Sequence, residues 1–393
     1  MAVLCATGFS ECLEDSLEAG REAAVMVKER LVLAENCVGI LLCSIEFDLA
    51  DVIKGIRLEL DIPLIGATTY SEVTGDGYFE DAVTLMVLSA DVLHIGLGVG
   101  ESLGENPQAA CQQAWQQAMN QINGEPKLAV VFPDAGLNFK GEEVITALHE
   151  LNANGIPIAG GCPGDGGRFQ QTFQVLNDQV YTDSIPLLLL GGDIDACVMS
   201  VTGWRPMGHH ATITEADGNR LIEVDDRPTA EFLQRYIPNM DDPDIAGAYP
   251  IALMEETVHH EGRHHYVIRS PFFTDEMGAV MYGGLVPKGG KIQMGHSTRD
   301  MIYQSIDNAT ARLKQHLGKR APACVLFASC GARKLMLGIH VEKETKGIKQ
   351  GLGSDLVMQG FYSYGEIGAY DSSDKALDDI RYHNNTLTMC AIY

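Results

Sequence analysis

Positive charge is scarce in this chain. Its 393 residues carry 28 Lys and Arg against 53 Asp and Glu, a formal net charge of −25. A protein whose main work is gripping phosphate backbones needs a basic face, so nucleic acid is excluded as the chief partner. The same deficit excludes an electrostatic hold on anionic lipid. Long apolar runs are missing too: the densest, residues 185–190, is far too short to span a bilayer. The N-terminus, Met-Ala-Val-Leu-Cys, lacks the basic segment and apolar stretch of a secretory signal. Ten cysteines are scattered without a single C-x-x-C pair, which argues against a zinc ribbon or a thioredoxin-type site. Together these absences predict a reduced, cytoplasmic protein with no membrane partner.

What is present is a recurring pattern. Cys37-Val38-Gly39-Ile40-Leu41-Leu42-Cys43 is continuously apolar, as a strand buried on both faces would be. Leu49, Val52, Ile53 and Ile56 follow at helical spacing, then the short strand Ile62-Pro63-Leu64-Ile65-Gly66 and a polar, Gly-rich turn. The order returns with Leu128-Ala129-Val130-Val131-Phe132, a helical stripe (Val144, Ala147, Leu148, Leu151), and Ile156-Pro157-Ile158-Ala159-Gly160. It returns again from the strand at 323–327 through the turn at 360–368 to a closing strand at 386–392. The expected fold is therefore α/β (mixed α+β), two-lobed, with mixed sheets and a reused strand–helix–strand–loop–strand unit. Residues 201–320 differ, with short strands punctuated by Gly, Pro and Asp. A helix is expected through Ile302, Ile306, Ala309 and Leu313, a shorter one after Arg227-Pro228, and a loop at 239–244. The domain boundary is placed near 215, giving domains 1–215 and 216–393.

Several motifs carry possible chemistry. His260-Glu261-Gly262-Arg263-His264 fits the H-E-x-x-H zinc-protease pattern, which works only on a helix. The strand character of Tyr266-Val267-Ile268 instead predicts a hairpin turning at Glu261-Gly262. Gly160-Gly161-Cys162-Pro163-Gly164-Asp165-Gly166-Gly167 is either an anion cradle of backbone N–H groups or a tight turn needing positive φ. It lacks G-K-[ST], so it is no P-loop. Ser329-Cys330-Gly331-Ala332-Arg333 joins a buried strand to a helix-like stretch, 335–349, and suits an anionic ligand. The other reading pairs Arg333 with a carboxylate such as Glu366. Cys330 at a helix start invites thiolate character, although no His–Asp pair accompanies it. Trp204-Arg205-Pro206 and the pair Tyr362, Tyr364 are aromatic–polar clusters of a kind that lines pockets.

Taken together, these residues resemble the FIST sensory domains, N- and C-terminal halves both. Gly66-Ala67-Thr68-Thr69-Tyr70-Ser71-Glu72-Val73 is similar to that family's G-C-S-T-x-G-E-I turn, with Ala67 in place of Cys and Ser71 in place of Gly. Gly160 to Asp165 resembles its G-G-x-x-G-D loop, Gly203-Trp204-Arg205-Pro206 its G-W-x-P element, and 213–219 its V-T-x-A-x-G-N segment. Cys330 to Arg333 resembles C-x-G-R with altered spacing. Gly360-Phe361-Tyr362-Ser363-Tyr364-Gly365-Glu366-Ile367 is close to G-F-Y-S-Y-G-E-I, and Asn384-Asn385-Thr386 follows it.

The resemblance implies a cytoplasmic small-ligand sensor in signal transduction, not an enzyme. It places the ligand among Gly66, Thr68, Gly160, Asp165, Trp204, Cys330, Arg333, Tyr364 and Glu366. With no output domain expected in 393 residues, the signal would pass in trans to a histidine kinase or a cyclic-di-nucleotide enzyme. One branch of the family implies nitric oxide sensing through a haem. Without C-x-x-C-H, such a haem b would be non-covalent, held by His340 or, second, His296. An amino acid or another small metabolite without haem is the alternative ligand. An enzyme using Cys330, or Asp165 and Glu366, is the rival class. The acidity of the chain further predicts a basic surface on its protein partner.

Overall fold

A computed structural model describes residues 3–134, 140–237, 250–260, 263–375 and 378–393. Three successive repeats build its main body. The first contains β1 (Leu4–Ser10), α1 (Ser16–Arg30), β2 (Cys37–Ser44), α2 (Leu49–Glu59), β3 (Leu64–Thr69), β4 (Ser71–Thr74), β5 (Tyr78–Phe79) and β6 (Val83–Ser89). The second runs β7 (Leu93–Glu101), α3 (Pro107–Met119), β8 (Pro126–Val131), α4 (Gly141–Leu151), β9 (Ile158–Gly161), β10 (Gln174–Leu176), β11 (Gln179–Tyr181) and β12 (Ser184–Gly192).

The third repeat opens with β13 (Ala196–Thr202) and is then interrupted. The insertion contains β14 (Arg205–Asp217), β15 (Arg220–Val224), β16 (Arg227–Pro228), α5 (Thr229–Gln234), β17 (Ile251–His260), β18 (Arg263–Arg269), β19 (Pro271–Thr274), β20 (Val280–Tyr282) and β21 (Lys291–His296). The repeat resumes with α6 (Arg299–Leu317), β22 (Cys324–Cys330), α7 (Gly331–Leu337), α8 (Glu342–Leu352), β23 (Met358–Ser363), β24 (Glu366–Ala369), β25 (Ile380–His383) and β26 (Thr386–Ile392). The loop expected at 239–244 and the turn at 261–262 lie outside the described residues.

The three main sheets have the same strand order, and each is completed by a neighbour's hairpin. They read β1-β6-β2-β3-β10-β11, β7-β12-β8-β9-β24-β25 and β13-β26-β22-β23-β4-β5. In each, the pair flanking the helical crossover is parallel: β2 with β3, β8 with β9, β22 with β23. The hairpin of the second repeat thus completes the first sheet, that of the third the second, and that of the first the third. The recurring unit predicted from sequence is real, and the exchange closes it into a ring.

Alternation within the apolar strands explains the layers. Ile40, Leu42, Val130, Leu188, Leu326 and Ile392 face a common core shared by all three sheets. The opposite faces, such as Leu41 and Leu85, pack under α1 and α2, and the other two sheets are covered likewise by α3 with α4 and by α6 to α8. Because both faces are buried, the strands read as unbroken hydrophobic runs.

The inserted strands form a separate antiparallel sheet with its own apolar core around Ile213, Tyr282 and Ile292. The second lobe is this insertion. The division expected at 215 falls inside β14, and the second and third sheets each join strands from both sides of it.

Two buried glutamates staple the exchanged hairpins. In the third repeat, Ser363 Oγ donates to Glu366 Oε1 (2.7 Å), while the Thr386 hydroxyl (2.6 Å) and N–H (3.2 Å) donate to Oε2. Glu366 starts β24 in one sheet, whereas Ser363 and Thr386 end and start strands of another. In the first repeat the Thr69 hydroxyl and the Ala82 N–H (2.9 Å) hold Glu72 in the same way. The Asn384-Asn385 turn before Thr386 anchors the insertion: Ser270 donates its N–H to Asn384 (3.3 Å) and its hydroxyl to Asn385.

Two tests follow from this packing. Gly96, Gly98 and Gly100 alternate along β7 and let α3 lie directly on it; a Cβ at Gly98 would stand 2.0 Å from the Ala114 carbonyl oxygen. Gly98→Ala should cost about 1–3 kcal/mol, as overpacking does, read from the urea midpoint; an unchanged midpoint would refute the close approach. Burial pushes the Glu366 carboxyl up to about 8, against the opposing pull of its Thr386 and Ser363 hydrogen bonds. Folded Glu366 therefore keeps its proton to higher pH than the unfolded chain does. Its contribution is complete below the unfolded value and is lost as pH rises through about 8. Glu366→Gln should lose less of its urea midpoint between about pH 7 and 9 than the parent, and equal losses in both would contradict the assignment.

Candidate functional site

The second repeat breaks the staple. At the place of Glu72 and Glu366 it has Gly166, inside a longer loop that runs from β9 to β10. An amide and a carboxylate substitute for the glutamate: Ser184 donates to Gln174 Oε1 (2.9 Å), and Gln174 (3.0 Å) and Thr172 donate to Asp134 Oδ1. Asp165 organises the loop itself. Its two oxygens accept the N–H groups of Arg168 (3.0 Å), Phe169 (2.8 Å), Gln170 (2.6 Å) and Gln171 (3.1 Å), and the Tyr364 hydroxyl. Burial would raise this carboxyl, but the bonds from Tyr364 and the backbone outweigh it and hold the group below its ordinary value. Phe169 sits at φ 52°, a left-handed conformation rare for an aromatic residue, and its ring stacks on Tyr364 at 4.3 Å.

This opening creates a cavity of about 540 Å³. It lies beyond the carboxyl ends of the parallel strands β8 and β9, where ligands of α/β sheets bind. Asp134, Asp165 and Phe169 come from the second repeat, Tyr364 and Tyr382 from the third, and Phe272, Met281 and Tyr282 from the insertion. Three parts of the fold therefore meet at one wall-to-wall space.

Of the residues expected at the site, Asp165 and Tyr364 line this cavity. Thr68 supports it from behind, accepting the Phe173 N–H on its hydroxyl (3.0 Å) and the Gly164 N–H on its carbonyl (3.0 Å). Gly66 and Gly160 serve strand packing: a Cβ on either would meet the carbonyl oxygen of Leu41 or Val131 within 1.8 or 1.9 Å. Trp204 is wholly buried in the core between the third sheet and α6. Glu366 is the staple already described.

Arg333 does not face a ligand, nor does it pair with Glu366. It is fully buried against Glu344, to which it donates from Nε (2.9 Å) and Nη2 (2.5 Å). Ser329 and Tyr362 complete that carboxylate at 2.7 and 2.8 Å. Cys330 is buried, and burial together with Glu366 pushes its thiol up, the opposite of an activated thiolate. The 160–167 segment is a tight turn, with Gly166 and Gly167 at φ 68° and 87°. Its N–H groups at Cys162, Gly164 and Gly167 are spent on Gly365, Thr68 and Tyr364, which leaves no row of free donors there for an anion. His260 and His264 belong to the two strands of the β17–β18 hairpin, which is not the helix a zinc-protease motif requires.

The cavity does not fit a haem held by the expected histidines. Among the described residues no His or Cys lines it. His340 stands half-buried on a 3₁₀ turn after α7, and His296 half-buried at the end of β21. Among the described residues the fully buried histidine is His383, pushed down to about 3 by burial, with its Nε2 3.0 Å from the Gly368 carbonyl. Among the described residues no cluster of three or more His, Cys, Asp and Glu is placed to hold a metal ion.

Sequence reading missed Asp134, Phe169, Gln170 and every insertion residue of the wall. The signal for Phe169 and Gln170 was the run Arg168-Phe169-Gln170-Gln171 directly after the turn Gly164-Asp165-Gly166-Gly167. Among the described residues no helix is long and apolar enough to cross a membrane.

Comparison with known proteins agrees with the motifs. Residues 37–227 match the FIST N domain and residues 229–369 the FIST C domain. Uncharacterised protein Mb0898c of Mycobacterium bovis is 26% identical over 54% of this chain and 56% of its own length. Uncharacterised protein MJ1623 of Methanocaldococcus jannaschii is 25% identical over 57% of this chain and 44% of its own length. The chain thus spans about half the length of the curated relatives it matches. A solved cyanuric acid hydrolase from A. caulinodans aligns over 100% of this chain and 99% of its own at a TM-score of 0.38 and 8% identity, too distant to bear on fold or activity. FIST domains are small-ligand sensing domains of signal transduction, and this chain, carrying both its N and C domains, belongs to the FIST family.

Proposed function

We propose that the protein is a sensor that binds a small metabolite, without haem, in the cavity between the second repeat and the inserted sheet. One observation carries this reading: the wall is assembled from three separately anchored parts. A ligand that touches all three favours one placement of the insertion over others, and this is the differential binding that a sensor needs. The rings at the mouth are already exposed, Phe272 by 44% and Phe273 by 55%. Such exposed rings gain from burial under a ligand.

The signal then passes to a second protein. The family's role in signal transduction supports a kinase or a cyclic-di-nucleotide enzyme as that partner, and the chain's acidity favours a basic contact surface on it. The nitric oxide reading has less support, since among the described residues no imidazole lines the cavity. An enzyme loses its support with Cys330 and Glu366 both buried as structural groups.

The test is a thermal-shift screen of small metabolites against the parent and a double variant, Phe272→Ala with Phe273→Ala. A ligand at a hundredfold excess over Kd should stabilise the parent by about 2.7 kcal/mol. The variant, altered only at exposed rings, should melt near the parent without ligand yet lose that shift. Hits that persist undiminished in the variant would move the site elsewhere.

A further inference from the structure

The lining of the cavity is one-sided in charge. Asp134, Asp165 and Asp183 contribute carboxylates, and among the described residues no Lys, Arg or His side chain lines it. Arg168, beside the lining residues Gly167 and Phe169, pairs with Glu46, and Arg269, against Tyr382, pairs with Glu142. Rings supply much of the remaining wall: Phe169, Phe272, Phe273, Tyr282, Tyr364 and Tyr382. Carboxylates and aromatic faces both attract cations, the rings through their quadrupole.

Resting on the sensor reading above, we propose that the ligand is an organic monocation: an amine on an aromatic or apolar body. The ammonium lies toward Asp134 and Asp183, and the body lies among Phe169, Phe272 and Tyr364. An amino acid fits less well, because its carboxylate would enter a wall of three carboxylates with no cation to meet it. The cavity of about 540 Å³ accommodates a single-ring amine with room for bridging waters. A bare metal ion is disfavoured, since the described carboxylates do not converge as a ligand set. The field of the whole chain, at a net −25, acts in the same sense by drawing cations toward the protein.

A matched probe set tests the charge. Tyramine, tyrosine, 4-hydroxyphenylacetate and 4-methylphenol share a phenol ring and differ in their charged groups. Titration calorimetry at near-physiological salt should show tyramine binding at least about tenfold tighter than tyrosine, and 4-hydroxyphenylacetate weakest of all. Asp134→Asn should weaken tyramine by about tenfold and leave 4-methylphenol nearly unchanged. If tyrosine or the acid binds as tightly as tyramine, and the Phe272→Ala, Phe273→Ala variant abolishes that binding, the ligand class falls while the sensor reading stands. Tyramine binding indifferent to both variants would mark general attraction to an acidic protein and overturn the proposal. Failure of all four probes also overturns the ligand class, and the metabolite screen then judges the sensor reading separately.

Discussion

A buried glutamate at the start of an exchanged hairpin is the constraint on which the ring depends. Each repeat must send its hairpin out of its own sheet into a neighbour's, and the chain must then return to begin its last strand. Glu366 binds the outgoing turn at Ser363 and the returning strand at Thr386. Glu72 does the same between Thr69 and Ala82. A carboxyl suits this place because its two oxygens accept several hydrogen bonds at once, where a shorter or apolar side chain would orphan buried donors. Its cost is desolvation, which is why burial raises the carboxyl of both residues.

The cavity lies where that rule is broken. In the second repeat the glutamate is absent, the loop is longer, and a network of Asp134, Thr172, Gln174 and Ser184 closes the gap less tightly. Asp165 then orders the extended loop through four backbone N–H groups. The first and third repeats keep the local pattern, and the second departs from it at the proposed ligand cavity. Departures of this kind are where physical consistency is expected to yield to a site.

Much of the fold was legible because the repeats keep their apolar patterning. The I-P-φ-x-G strands at Ile62 and Ile156 became β3 and β9, and the stripe through Ile302 and Leu313 became α6. The helix read through 335–349 is divided at Gly338, whose φ of 54° ends α7. The hairpin exchange was not legible, since strand pairing between repeats leaves no periodic mark. The site was half legible. Asp165 and Tyr364 stood in recognisable turns, but Arg333 looked equally suited to a ligand. Only geometry shows that its partner is Glu344, eleven residues along the chain. Tyr282 carried no signal at all, because a tyrosine in a short strand reads as ordinary core.

The insertion's anchorage ties these features into one device. Asn384 and Asn385 hold Ser270 of the insertion, and the next residue, Thr386, binds Glu366. Arg269, beside Ser270, donates to the Tyr382 carbonyl (3.1 Å) and to Glu142 (2.6 Å) of the second repeat. Tyr382 itself forms part of the cavity wall. The insertion is therefore hinged to the ring through the same turn that staples the exchanged hairpin, while its free face, with Phe272 and Phe273, looks onto the ligand space. Apolar contact seats the insertion as well, since its Ala252 and Ile268 share a buried core with Trp204, Val73 and Ile302. Contact at Phe272 and Phe273 therefore bears on a body joined to the ring both by this polar turn and by a close-packed apolar seam, which resists small displacements.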